Sequence, residues 1–171
     1  LSNMAPWAPA KTYLIEESLQ SSYLVRYYLL MLASGKVKKC FWHQLIAPGY
    51  GLVNNLNGQI IKRDAYYCFK HLVESLTGGK TKKLIREKNL FCLVIEKDDT
   101  IIEAIWSSDK KASFKSNPDQ KICDIRGKII DTKNSPVVNI TGEVVYIEKL
   151  KTGYQEFNFK ETSKVSAGFP H

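Results

Sequence analysis

The densest gathering of chemically capable side chains is Cys40-Phe41-Trp42-His43-Gln44-Leu45-Ile46-Ala47-Pro48-Gly49-Tyr50-Gly51. An indole, an imidazole and a carboxamide stand side by side, and a glycine-rich loop follows them. The flat indole face matches the apolar C–H face of a sugar ring, and His43 and Gln44 can exchange hydrogen bonds with hydroxyls. Ligand sites on α/β scaffolds lie where such a loop leaves a strand. The same residues also read as a core tryptophan whose polar neighbours are turned away by strand alternation. Residue types alone leave these two readings even.

Other chemistries find little support. Gly49-Tyr50-Gly51 opens no phosphate loop, because no helix start follows at the required spacing. No Gly-x-Ser-x-Gly elbow and no His-Glu-x-x-His pair occurs. Besides the terminal His171 there are only His43 and His71, too few for a typical metal cage, and His71 reads as a surface residue in mid-helix. Neither metal nor cofactor is expected. Glu16/Glu17 and Asp98/Asp99 read as a helix start and a turn tip, with no catalytic role. Cys40, Cys68, Cys92 and Cys123 form no Cys-x-x-Cys pair, and apolar neighbours mark them as buried reduced thiols.

The net charge of +8 would favour polyanions, but it is spread evenly, with four excess positive charges on each side of Gly79. The densest cluster, Lys80, Lys82, Lys83, Arg86 and Lys88, reads as a solvated edge strand that resists aggregation, so a nucleic-acid partner is not favoured. The richest apolar run, Tyr23 to Ala33, is about half of the ~20 residues that a bilayer crossing takes. With no signal-like start and reduced cysteines, a cytoplasmic location is expected. The chain opens on Leu1 with Met at position 4, which reads as a piece of something longer.

The elements that must position the candidate residues fall into two textures. Residues 15–34 read as a helix, with Leu24, Tyr27, Tyr28, Met31 and Leu32 at three-four spacing and Gly35 as the stop. The stretch from Tyr27 to Ala33 is apolar all round, so cover on more than one side is expected. Residues 37–46 read as a buried parallel strand, and 64–76 as a second helix with Ala65, Phe69, Leu72, Val73 and Leu76 on one face. After Gly79 the period changes to two. Strands are expected at 82–87, 90–96, 100–106, 112–114, 121–125, 128–131 and 143–148, forming an antiparallel β-sandwich. The organisation predicted is 1–79 α/β, 80–150 β-sandwich and 151–171 a poorly ordered tail.

One parallel strand between two helices cannot bury its own faces. Its neighbours must come from a longer chain or from partners, and self-association through this half is one outcome. If the strand forms, Phe41 and Leu45 share the face toward the helices, while Trp42 and Gln44 face the opposite side.

The run Tyr23-Leu24-Val25-Arg26-Tyr27-Tyr28-Leu29-Leu30, the Ala33-Ser34-Gly35 stop, Phe41 to Leu45, Ala47 to Gly51 and Ala65-Tyr66 together resemble the C-terminal third of clan A (β/α)8 glycoside hydrolases. The likeness is to family 39-like members from bacterial surface-polysaccharide gene clusters. Specific motifs lie in 1–79. The resemblance implies that 15–34, 37–46 and 64–76 are the seventh helix, eighth strand and eighth helix of a barrel, and that the later strands are an accessory sandwich. It implies Trp42 as the floor of a sugar site, Gln44 and His43 on hydroxyls, and Tyr50 at the loop rim. Some relatives carry a second aromatic where this chain has His43.

The resemblance further implies a retaining mechanism whose two glutamates lie upstream of Leu1. The chain alone is then expected to be inactive toward glycosidic bonds, with a carbohydrate as the partner of the whole protein. Two other classes remain: a non-catalytic carbohydrate-binding or assembly module, in which the sandwich works, and a basic polyanion-binding domain.

Overall fold

A computed structural model describes residues 16–47, 51–55, 58–108, 112–117 and 120–164. Helix α1 spans Glu17–Ala33, and Gly35, at φ +62°, supplies the left-handed residue that ends it. Leu24 packs with Leu52, Val53 and Ala65, whereas Val25 and Leu29 pack on a β-sheet, so α1 is covered on two sides near its middle. Of the apolar stretch 27–33 only Leu29 is buried and Leu32 is exposed, short of the cover expected there. A small hairpin, β1 (Val53–Asn54) with β2 (Ile61–Lys62), leads into helix α2, Asp64–Leu76. α2 packs against α1 and buries Ala65, Cys68, Leu72 and Leu76, while Val73 stays exposed.

The strand expected over 37–46 does not form. Among the described residues this segment joins no ladder; Ile46 alone makes a parallel bridge, to Val53. Phe41 is 81% exposed, Leu45 56%, Val37 42% and Ile46 41%. The cause is the one that made the strand a difficulty in the sequence. A strand exists through its hydrogen-bonded neighbours, and two helices on one side do not replace them.

The strands after Gly79 are β3 (Lys80–Glu87), β4 (Leu90–Lys97), β5 (Thr100–Ser107), β6 (Ala112–Lys115), β7 (Lys121–Cys123), β8 (Val137–Ile140), β9 (Val145–Leu150) and β10 (Ser163–Lys164). Among the described residues they form two antiparallel sheets, ordered β3-β4-β5-β9-β7 and β10-β6-β8. Asp98, at φ +51°, sits in the tight turn joining β4 to β5, as expected of a turn tip. The lysine-rich β3 is an edge strand, and Lys82 pairs with Glu96 and Lys83 with Glu156. Residues 128–131 contribute only a bridge between Cys123 and Ile129, and β8 occupies a stretch that the periodicity did not single out.

Both parts of the chain contribute to shared layers. Leu93, Ile95, Ile102, Ala104, Trp106 and Tyr146 of the larger sheet pack beneath Val25, Leu29, Cys68 and Leu72 of the helices. Cys92, Val94, Ile105, Val145 and Ile147 point the other way, toward Phe114, Val138 and Ile140 of the smaller sheet. Helices, five strands and three strands are thus stacked in that order, and the two halves share one core. Central strands buried on both faces explain why β4 and β5 read as nearly unbroken apolar runs.

The expected tail also does work in this structure. Tyr154, Phe157 and Phe159 pack on the sandwich, and β10 completes the smaller sheet. Glu103, fully buried on β5, holds this strap. It pairs with Lys149 at 2.7 Å and accepts hydrogen bonds from the Tyr154 hydroxyl (2.7 Å) and the Phe157 N–H (2.8 Å). A buried carboxylate with a cation and two further donors is satisfied, so its burial is tolerated. Residues 165–171 of that expected tail lie outside the described residues.

Candidate functional site

The N-termini of both helices and the segment leading into α2 form one end of the helical layer. Here the partnerships that matter are ones the sequence did not single out. Arg63, 7% exposed, donates from Nε to Glu17 Oε1 at 3.0 Å and from Nη1 to the Gly51 carbonyl at 3.2 Å. Its own N–H donates to the Leu52 carbonyl at 3.0 Å. Glu17 Oε2 in turn accepts the Asp64 N–H at 3.4 Å. A carboxylate over the first N–H of α2 also complements the helix dipole. Arg63 and Glu17 are 46 positions apart, so no local spacing reveals the pair.

This bracket holds the loop that follows the candidate binding segment. The Gly51 N–H donates to the Ala47 carbonyl at 3.1 Å and the Val53 N–H to the Leu45 carbonyl at 2.8 Å. A side chain at Gly51 would put its Cβ 2.3 Å from the Ala47 nitrogen, so the turn is too tight for anything but glycine. Glu16 and Glu17 are accounted for by the start of α1 and this bracket.

The predicted binding residues are placed unevenly. Trp42 is half-buried, its ring 6.3 Å from that of Tyr27 and inclined at 65°, and it packs against the cluster of Leu24, Leu52 and Ala65. Its neighbours His43 and Gln44 are exposed, while Tyr50, with Pro48 and Gly49, lies outside the described residues. The faces are therefore reversed from the strand alternation expected above. Trp42 lies on the helix side and Phe41 and Leu45 face outward. Without a ladder to impose period two, the larger amphipathic ring takes the helical contact. Of the aromatics in this segment, Phe41 is the more open platform.

Behind the segment a cleft of about 270 Å³ runs between the helices, lined by Tyr28, Met31, Val37, Cys40, Phe69 and Leu72 among others. Burial, with Cys40 and Tyr27 close by, pushes the Tyr28 phenol up to about 12, so it remains a neutral donor. Cys68, Cys92 and Cys123 are buried free thiols, as expected, and Cys40 is half-buried. Burial raises Cys68 to about 11 and pushes Cys92 well up, leaving both unreactive.

His71 is not the surface residue expected. It is half-buried where α2 meets the larger sheet, edge-on to the Tyr146 ring at 5.0 Å, with Ser75 Oγ 3.2 Å from Nδ1. Burial pushes its pKa down, partly offset by Asp124, Glu148 and Glu74. Among the described residues no group of three or more His, Cys, Asp or Glu could hold a metal ion, and no helix is long and apolar enough to cross a membrane.

No protein-family model and no curated protein matches this chain. A solved structure does. It is a family 39 glycoside hydrolase from the gut symbiont Bacteroides cellulosilyticus WH2, with a TM-score of 0.65 and 16% sequence identity, covering 78% of this chain and 30% of that one. At that identity the likeness is one of fold. That structure belongs to the family that Tyr23–Leu30 and Phe41–Gly51 resemble, and the chain spans less than a third of its length.

Proposed function

We propose that this chain is the C-terminal part of a retaining glycoside hydrolase acting on a bacterial polysaccharide. In this reading α1, segment 37–46 and α2 are the last elements of a (β/α)8 barrel, and the two β-sheets are its accessory sandwich. The observation that carries it is the segment itself. An apolar stretch lies between two packed helices with Phe41, Leu45 and Ile46 exposed and a single parallel bridge begun at Ile46. Parallel strands on either side would cover it, and the fold likeness supports a longer chain as their source.

Trp42, His43, Gln44 and Tyr50 then belong to one edge of the sugar site, where the polar side chains serve hydroxyls and the indole would stack on a ring only after leaving its contact with Tyr27 and the helices. The acid/base and nucleophile, ~5 Å apart in a retaining enzyme, come from upstream elements. The carbohydrate-binding-module reading is less favoured, because the sandwich lacks a platform among the described residues. Trp106, Phe114, Tyr146 and Phe159 are all buried, and Phe91 stacks on Trp106 at 5.2 Å.

The test is hydrolysis of a panel of aryl glycosides by this chain and by the polypeptide extended upstream through the remaining barrel. The extended protein should turn over at least one of them and the chain alone none. Turnover by the chain alone that vanishes in Glu16→Gln or Glu17→Gln would overturn the reading.

A further inference from the structure

The loop joining β7 to the following bridge is built as a rigid knuckle. Asp124 Oδ1 accepts the N–H groups of Arg126 and Lys128, both at 2.9 Å, and the Asp124 N–H donates to the Lys128 carbonyl at 2.9 Å. α2 rests on this knuckle at two points. Gly127, at φ +85°, lies flat beneath His71, so that an added Cβ would stand 2.3 Å from Nδ1. One residue earlier, the Arg126 guanidinium pairs with Asp64, the first residue of α2. Asp64 Oδ2 also accepts from Ser21 Oγ of α1 at 3.2 Å.

From Asp64 the contacts continue in one direction. Its N–H reaches Glu17, Glu17 holds Arg63, and Arg63 holds the Gly51 carbonyl. The charges along this line are positive, negative, negative, positive. The two carboxylates, Asp64 and Glu17, meet at the start of α2 and each has its own arginine. Removing Arg126 leaves two neighbouring carboxylates with one cation, which Coulomb repulsion disfavours.

We propose that the Asp124–Lys128 turn of the sandwich is a positioning brace. Through Arg126 and Asp64 it sets the N-terminus of α2, and thereby the Arg63 bracket that holds the loop behind the candidate sugar-binding segment. The proposal gives the sandwich a task other than binding carbohydrate. It rests on the reading above only for the statement that this end of the helical layer faces sugar. Arg126, Asp64, Glu17 and Arg63 are positioning residues, and none is placed in contact with substrate.

Amide hydrogen exchange on the intact chain tests it. The reporters are the N–H groups of Val53 and Arg63, whose hydrogen bonds involve neither Arg126 nor Asp64. Arg126 is surface-exposed, so Arg126→Ala should fold. It should speed exchange at both reporters by about tenfold, Asp64→Asn should do the same, and the double variant should add little. Arg126→Lys, which keeps the charge, should restore part of the protection. Unchanged reporters in Arg126→Ala would overturn the brace, and so would a uniform rise that includes the Ile102 and Ala104 amides of β5. A separate titration of the parent and of Trp42→Phe with a panel of oligosaccharides, followed by the difference in tryptophan fluorescence between the two, bears on the sugar site alone, so either idea can fail without the other.

Discussion

Two apolar regions of this chain meet opposite fates. β4 and β5 carry runs such as Leu93-Val94-Ile95 and Ile101-Ile102, and every residue of these runs is buried. Val37 to Ile46 has a similar density of large apolar residues, yet Phe41, Leu45 and Ile46 face outward. Local composition does not separate them. β4 has β3 and β5 on its edges, helices on one face and a second sheet on the other. Segment 37–46 has helices on one side and, among the described residues, no flanking strand. Hydrophobicity sets the tendency to be covered; the supply of hydrogen-bonded neighbours decides whether a strand results.

The contrast is most strongly tested in the buried sheet. Glu103→Ala should cost about 3–5 kcal/mol, because it strands Lys149 and leaves the Tyr154 hydroxyl and Phe157 N–H without their acceptor. Urea unfolding would measure the loss, and early proteolytic cleavage within 151–157 should accompany it. A cost below about 1 kcal/mol would mean that the strap is held by its aromatic packing instead.

Next in size is Gly127→Ala, expected to destabilise by about 2–3 kcal/mol from backbone strain at positive φ and collision with His71. Combining it with His71→Ala should recover the collision and leave the strain. If the double variant is no better than the single one, the helix does not rest on that turn.

A smaller effect depends on pH. His71 has its pKa lowered by burial in the fold, so the unfolded chain binds more protons between the folded value and about 6.5. Its contribution is therefore fully present above about pH 6.5 and lost as pH falls toward the folded value. Urea midpoints compared at pH 7.5 and 5.5 should drop more for this chain than for His71→Gln. Equal drops would assign the acid sensitivity elsewhere.

Smallest in stability is Phe41→Ser, which should fall within about 0.5 kcal/mol of the parent, since little is buried there to lose. Its effect should appear in association instead. Sedimentation of the chain alone should show concentration-dependent self-association that Phe41→Ser and Leu45→Ser weaken. A large stability loss in Phe41→Ser would show that the outer face is already covered, and the comparison between the two regions would collapse.

Much of this molecule follows from local pattern. Three-four spacing places both helices and Gly35 stops the first, because a helix satisfies its own backbone within a few residues. The lysine-rich edge, the Asp98 turn and six of the seven expected strands follow from period two and turn chemistry. The sugar-binding candidates were legible as residue types, but not their directions: Trp42 turned toward Tyr27 because no ladder held it to alternation. What tertiary structure alone decided is everything carried across long separations. The helices cover the sandwich, Arg63 reaches Glu17, Arg126 reaches Asp64, and Glu103 gathers Lys149, Tyr154 and the Phe157 amide. Those partners are chosen by which elements stack. Stacking depends on shape and burial summed over the whole chain, which no window of sequence contains.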